Sequence, residues 1–495
     1  MRILFAASEA YPLIKTGGLA DVAAALPAAL AARGIDARLI IPAYPQVFDI
    51  ANDVTYAMTL GEILGGHLVR LFTARMPASG LPIFLVDCPT LYARAGGPYT
   101  DDSGVDWPDN HLRFGVFSHA AAVIAAGSAA VQWRADILHA NDWQTGLAPA
   151  YLRFAGAPNT RSVFTIHNMR YQGLFPESVL SELELPRIAF SMEGMEFHGQ
   201  LSMLKAGLAF TDRITTVSPT YAEEIKLAEF GYGMEGLLYA RRRDLTGVLN
   251  GVDYAAWSPH ADPHIAAPFT AGDVAGKARC KAALQSELGL ASDANAPLLA
   301  MVTRLTEQKG IDLVVDALPH LLAQGAQVAI LGAGEAKWEQ TLANLAFAPE
   351  RVATRIGYSE TLAHRFIAGS DMFLMPSRFE PCGLTQMYAM RYGTLPIVRR
   401  TGGLADTVDE VRILADGAVT GTGFLFDAPQ SAALLEASGR AIELFADKPS
   451  WRLAQRAAMQ QDFSWARAAE DYAWIYRVLA PHGEAGGDKM RGEAA

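Results

Sequence analysis

Cysteine is scarce: Cys88, Cys280 and Cys382 are the whole complement of a 495-residue chain. Three thiols so far apart exclude a disulfide scaffold and a Cys-x-x-Cys zinc site. They fit a reducing compartment, so a cytoplasmic location is expected. Positive charge is also short, with 41 Lys plus Arg against 52 Asp plus Glu and a net charge of −11. That excludes the broad basic footprint of nucleic-acid binding. Cations serving an anionic ligand must then be few and local. Long apolar runs are missing too. The opening MRILFAASEAYP has one Arg and a five-residue apolar run before Glu9, too little for a secretory signal and suited to a first strand. Residues 114–133 carry no formal charge but are mostly Ala, with Gly115, Ser118, His119, Gly127, Ser128 and Gln132 among them. Alanine gains little from lipid, so this stretch reads as a buried helix and no membrane partner is expected. Asp-x-Asp is absent, leaving a metal-anchored diphosphate site without support. No G-x-G-x-x-G opens the first helix, and Gly332-x-Gly334-Glu335 is a weaker match, which argues against a dinucleotide oxidoreductase.

What is present is alternation. Half the residues (51%) are hydrophobic, and the length suits two to four domains with sizeable cores. Apolar runs at 2–7, 37–41, 82–86, 136–139, 162–166, 213–217, 246–249, 298–302, 327–331, 371–375 and 394–398 read as strands. Helical patterns follow several of them, at 219–228, 311–323, 383–391 and 430–446. Such alternation predicts parallel sheets covered by helices on both faces. Eleven strands in one open sheet would be unusual, so two doubly wound domains are expected. The turn Asn250-Gly251 and the aperiodic segment 257–270 mark the junction. The expected division is 1–245, 246–460, a C-terminal helix at 461–482 crossing back to the first domain, and a disordered Gly- and charge-rich tail at 483–495.

One segment repeats. Lys15-Thr16-Gly17-Gly18-Leu19-Ala20-Asp21 recurs as Arg400-Thr401-Gly402-Gly403-Leu404-Ala405-Asp406. In each, a cation precedes two glycines and a helix start, where backbone N–H groups can approach an anion. The plainer alternative is a pair of tight strand-to-helix turns. Arg304 and Lys309 leave the carboxyl end of a strand, where open α/β sheets bind ligands, and could grip a diphosphate. As an isolated pair they could equally be solvated surface cations. His167, Asn141 and Asp142 also follow strand ends, although a lone His there is often structural. The segment 371–385 ends a strand at Pro376, carries Glu380 in a loop and starts a helix near Gly383. Glu380 could accept from sugar hydroxyls or stabilise positive charge at an anomeric carbon. Cys382 has no base nearby in sequence and suits a shape or backbone role.

Together these motifs resemble a known family. The stretches 8–22 (SEAYPLIKTGGLADV), 139–152, 164–168, 205–225, 250–253, 303–310 and 377–408 are similar to bacterial glycogen synthase and plant starch synthase, and the similarity runs from residue 1 to about 480. The resemblance implies an α/β, GT-B type fold: two Rossmann-like domains facing across a deep cleft. It implies transfer of glucose from ADP-glucose to the non-reducing 4-OH of an α-1,4-glucan, with retention and with no metal or other cofactor required. By the same resemblance, Lys15, Gly17 and Gly18, with Asp21, contact the donor from the N-terminal side. Arg304 and Lys309 bind the diphosphate, and Glu380 with Cys382, Gly383 and Leu384 holds the donor glucose. Thr385 contacts phosphate, His167 bonds the transferred sugar, and Tyr358 stacks on adenine. Tyr99, Asp142 and Asn250 lie near the sugar or acceptor. Related retaining transferases often carry a second Glu eight positions after the first; here that position is Tyr388. Glu380 therefore lacks an acidic partner, and a two-carboxylate mechanism is weakened. Another donor base, a different acceptor, or a non-catalytic glucan-binding protein on the same fold are the rival readings.

Overall fold

The computed structural model describes residues 1–127, 131–345 and 348–480. It divides into two compact units. The first comprises Met1–Val217, Ala222–Gly251 and the chain from Trp465; the second comprises Ser218–Tyr221 and Val252–Ser464. The first junction falls six residues beyond the expected 245/246, because Leu245–Gly247 pairs with Arg213–Thr216 and completes the first sheet. The second falls at 464/465 rather than 460/461, because the Val252 N–H bonds the Phe463 carbonyl at 2.7 Å and keeps that strand of chain in the second unit. The tail at 483–495 lies outside the described residues.

The first unit is built on a nine-stranded sheet. Its order is Leu245–Gly247, Arg213–Thr216, Arg161–Ile166, Ile137–Asn141, Arg2–Ala6, Asp36–Pro42, Pro82–Asp87, His67–Arg75, Asn52–Ile63. The seven strands from Leu245–Gly247 to Pro82–Asp87 are parallel. Ile3, Leu4 and Phe5 are fully buried, as expected of a central strand covered on both faces. The last two strands are antiparallel, a departure from the all-parallel expectation. Asn52–Ile63 exposes much of both faces and slips register three times, so it shows no apolar run.

The uncharged stretch begins as a buried helix, Asn110–Ala126. It ends at Gly127, whose φ of +94° halts it before Trp133. Among the described residues no helix is long and apolar enough to cross a membrane. The helix expected at 219–228 stops at Glu224: the chain tightens to i→i−3 bonds at Lys226 and Leu227, then extends before Ala228–Gly231. The C-terminal helix Trp465–Leu479 packs on Gly18–Ala32, and its Tyr476 hydroxyl meets His139 Nδ1 at 2.6 Å.

The second unit carries a six-stranded, wholly parallel sheet. Its order is Val352–Ile356, Gln327–Gly332, Leu298–Val302, Met372–Met375, Leu395–Arg399, Phe424–Phe426. Both sheets alternate strand and helix, so each unit is Rossmann-like. Leu298–Val302 lies between Gln327–Gly332 and Met372–Met375, which brings the loops after these strands together at one edge.

Candidate active site

In the first unit, parallel pairing of Arg2–Ala6, Ile137–Asn141 and Arg161–Ile166 gathers their carboxyl-end loops. Asp142 accepts the His167 backbone N–H at 2.7 Å. Its φ is +55° with ψ near 180°, a region sparsely used by residues with a side chain. The two backbone N–H groups of His167 and Asn168 that reach its carboxylate hold it there. Burial pushes the Asp142 carboxyl up to about 7, against the partial relief of those N–H groups. Asn141 gives its amide N–H to the Ala6 and His139 carbonyls, which turns its Oδ1 to His167 Nε2 at 2.9 Å. Nε2 therefore carries the ring proton and Nδ1 is the acceptor nitrogen. Burial pushes the His167 imidazole down to about 3, so it stays neutral at physiological pH.

The N-terminal loop is organised by an acid that sequence reasoning did not single out. Glu9, buried, accepts the Thr16 N–H at 2.5 Å and the Thr16 hydroxyl at 2.7 Å. Burial raises its carboxyl above the usual range. Its charge reaches Tyr99 and Asp142, so this loop lies beside them. The available signal was an acid three residues beyond the end of an apolar strand. Tyr99 bonds the Ser8 hydroxyl at 2.8 Å. Lys15 pairs with Asp21 at 2.8 Å. A Cβ on Gly18 would meet nothing within 4 Å, and one on Gly17 only Glu9 Oε1 at 3.8 Å. The chain's own packing thus leaves side-chain space free at Gly18, the first residue of Gly18–Ala32, while the Gly17 backbone N–H reaches the Glu9 carboxylate. Asn250 is buried, with an Oδ1 that has no partner among the described residues.

The second unit draws Lys309, Glu380 and Ser377 together. Lys309 Nζ stands 2.5 Å from Glu380 Oε2, and the Ser377 hydroxyl donates to the same oxygen at 3.0 Å. Gly310 (φ +70°) makes this possible: a Cβ there would stand 2.2 Å from the Pro376 carbonyl. The departing strand ends can approach only with glycine at that turn. Arg304 is exposed, and its guanidinium has no hydrogen bond or ion pair with any described residue. Gly383 (φ +71°) turns the chain from Cys382 into the helix after Leu384, with Thr385 its first residue. Tyr358 is 73% exposed beyond Val352–Ile356, with its hydroxyl on the Glu360 carboxylate.

Of the two readings of the repeat, the plainer one holds for its second copy. The second copy of the repeat is a packing device. Gly402 and Gly403 Cβ atoms would lie 2.0 and 2.1 Å from the Glu380 and Cys382 carbonyls, and the Gly403 N–H bonds the Glu380 carbonyl at 3.1 Å. Its cation, Arg400, pairs with Asp427 at 3.0 Å, while Asp406 takes the Thr220 N–H and hydroxyl. Tyr388, in place of a second carboxylate, stacks on Trp257 at 4.1 Å and 1°, and Trp257 stacks in turn on His364 at 3.6 Å.

Comparison with known proteins agrees over nearly the full length. Residues 2–240 match the family described as starch synthase catalytic domain, and residues 289–457 match glycosyl transferases group 1. A glycogen synthase of Paramagnetospirillum magneticum is 51% identical over 494 residues, covering 99% of this chain and 100% of the relative. One from Rhodospirillum rubrum is 50% identical over 493 residues, with 99% and 100% covered. The catalytic domain of starch synthase IV from Arabidopsis thaliana, bound to ADP and acarbose, superposes with a TM-score of 0.87 at 32% identity, covering 97% of this chain and 99% of that one. A fold of two Rossmann-like domains, motifs spread over both, and identity sustained from end to end lead to one conclusion: the chain belongs to the glycogen synthase and starch synthase family of glycosyltransferases.

Proposed function

We propose that the chain transfers glucose from ADP-glucose to the non-reducing 4-OH of a growing α-1,4-glucan, with retention and with no metal or other cofactor, in the cytoplasm. The observation that carries this reading is the Lys309 ammonium 2.5 Å from the Glu380 carboxylate, with an exposed guanidinium on Arg304 in the same loop after Leu298–Val302. Two cations in one loop suit a diphosphate, and the carboxylate beside Lys309 suits the sugar.

Departure of the diphosphate from C1 places negative charge on oxygen and positive charge on the sugar ring. Arg304 and Lys309 stabilise the first, as do backbone groups at Gly17 and Gly18 together with Lys15 and its partner Asp21. Glu380, with backbone groups of Cys382, Gly383 and Leu384, orients the glucose and meets the second; Thr385 contacts phosphate. Tyr358 offers its exposed ring to adenine. Neutral His167 accepts a sugar hydroxyl at Nδ1, because Asn141 holds the proton on Nε2. Tyr99, Asp142 and Asn250 serve the sugar or the acceptor. The acceptor hydroxyl attacks on the face the phosphate leaves, and a phosphate oxygen takes its proton, so configuration is retained without a protein nucleophile. Pre-placed charges of this kind are the largest expected contribution.

Incorporation of radiolabelled glucose into glycogen tests this. Labelling from ADP-glucose well above that from UDP-glucose, without added metal and abolished in Glu380→Gln, supports the reading. Glucan binding with no ADP release contradicts it.

A further inference from the structure

Lys309 sits in a one-turn segment, Glu307–Lys309, that has little hold of its own. A short 3₁₀ turn carries few internal bonds and needs outside support to present a side chain reproducibly. The support comes from a residue the reaction does not otherwise use. Arg378 forks onto Asp312, with Nη1 to Oδ1 at 2.8 Å and Nη2 to Oδ2 at 2.7 Å. The same Nη1 donates to the Glu307 carbonyl at 3.0 Å. The Arg378 backbone N–H donates to the Gln308 carbonyl at 2.8 Å, and Gln308 Nε2 returns a bond to the Phe379 carbonyl at 3.2 Å. Arg399 bonds the Arg378 carbonyl and is itself held on the Asp427 carbonyl. The loop bearing Glu380 and the turn bearing Lys309 are thereby knitted at Arg378, two residues before Glu380. Asp312 lies in the first turn of Ile311–Ala323, a 13-residue helix packed in the second unit, so the clamp is anchored to a rigid element.

We infer that Arg378 is a positioning residue for the donor diphosphate, holding the Glu307–Lys309 turn through Asp312 and the Glu307 carbonyl so that the Lys309 ammonium is pre-placed. The inference rests on the donor reading given above. Asp312 is held below the usual carboxylate range and the Arg378 guanidinium above its own, mainly by their mutual hydrogen bonds, as a charged and durable pair requires. The Arg378 and Asp312 side chains are 30% and 25% exposed, and an ion pair so placed adds little to stability in itself. Its geometry is what matters: a lysine ammonium cannot span two carboxylate oxygens and a carbonyl as the planar fork does.

The test is a double-mutant cycle read by calorimetric titration of ADP, well below the melting transition. Arg378→Ala and, independently, Asp312→Asn are expected to weaken ADP binding about tenfold with little change in melting temperature. Arg378→Lys is expected to recover little of the loss. In a Lys309→Ala background, Arg378→Ala is expected to cost less than about twofold more, because its effect passes through Lys309. Wild-type ADP affinity in Arg378→Ala and Asp312→Asn, or the same loss with and without Lys309, overturns the inference. Wild-type ADP affinity in Lys309→Ala alone would overturn the donor reading, and the clamp's purpose with it.

Discussion

Lys309 and Glu380 form a near-dry ion pair, their side chains 16% and 8% exposed and their charged atoms 2.5 Å apart. Each holds the other in place, and each is assigned to a different part of the donor. Under the proposed function the pair is at once a structural joint and a donor contact. Removing one partner of such a pair leaves an uncompensated charge, at a cost of roughly 3–5 kcal/mol.

Lys309→Ala should lower turnover about 10²–10³-fold, the usual effect of deleting one transition-state donor, and should also lower the melting temperature. Adding Glu380→Gln should restore much of the stability and none of the turnover. Paired thermal melts and saturating-donor rates check both halves. Recovery of turnover in the double variant would show that the ammonium matters only as a counter-ion.

The two glycine pairs should respond in opposite ways. Gly403→Ala puts a Cβ 2.1 Å from the Cys382 carbonyl and should destabilise the second unit. Gly18→Ala meets nothing within 4 Å at the first position of its helix and should leave the melt unchanged or slightly raised. Its turnover should nonetheless fall, because under the proposed function the donor occupies the space that the methyl group fills. Melting curves and rates on the same two variants decide the point.

Asp142 should make the first unit less stable as pH rises. Its carboxyl ionises at about 7 in the fold against an ordinary 3.8, so between those values the unfolded chain sheds a proton that the folded chain keeps. The stability deficit grows from about pH 4 to 7 and is constant above. Asp142→Asn should remove that slope, gaining on the wild type across this window. Melting temperatures at half-unit steps would show it; parallel curves for the two proteins would contradict the assignment.

Tyr476→Phe should loosen the C-terminal helix. It strips the bond to His139 Nδ1, a fully buried nitrogen whose ring is otherwise held by Thr165 at 2.6 Å. Leaving that atom unpaired costs about 1–3 kcal/mol. Hydrogen exchange over 465–479 should quicken while ADP affinity stays at the wild-type value.

Much of this was legible in the chain. The central strands read clearly because both their faces are buried, which writes continuous runs such as Ile3-Leu4-Phe5 into the sequence. The hairpin of Asn52–Ile63 and His67–Arg75 did not, since an edge pair with both faces partly wet and three register slips has neither run nor clean alternation. Arg304, Lys309 and His167 were visible as polar residues after strand ends. Glu9 and Arg378 were not: their importance lies in what they hold, Thr16 in one case and Asp312 in the other, and such partners emerge only in three dimensions. The same holds for the repeat. Two identical glycine pairs face open space at Gly18 and a carbonyl wall at Gly403, a difference that no local pattern carries.

The sharpest test uses Arg304, because its guanidinium supports nothing else among the described residues. Arg304→Ala should leave the melting curve unchanged and weaken ADP binding by about tenfold or more, since only a contact with the ligand is lost. Titration calorimetry with ADP measures it directly. Unchanged affinity would contradict the assignment of the diphosphate to this group of cations.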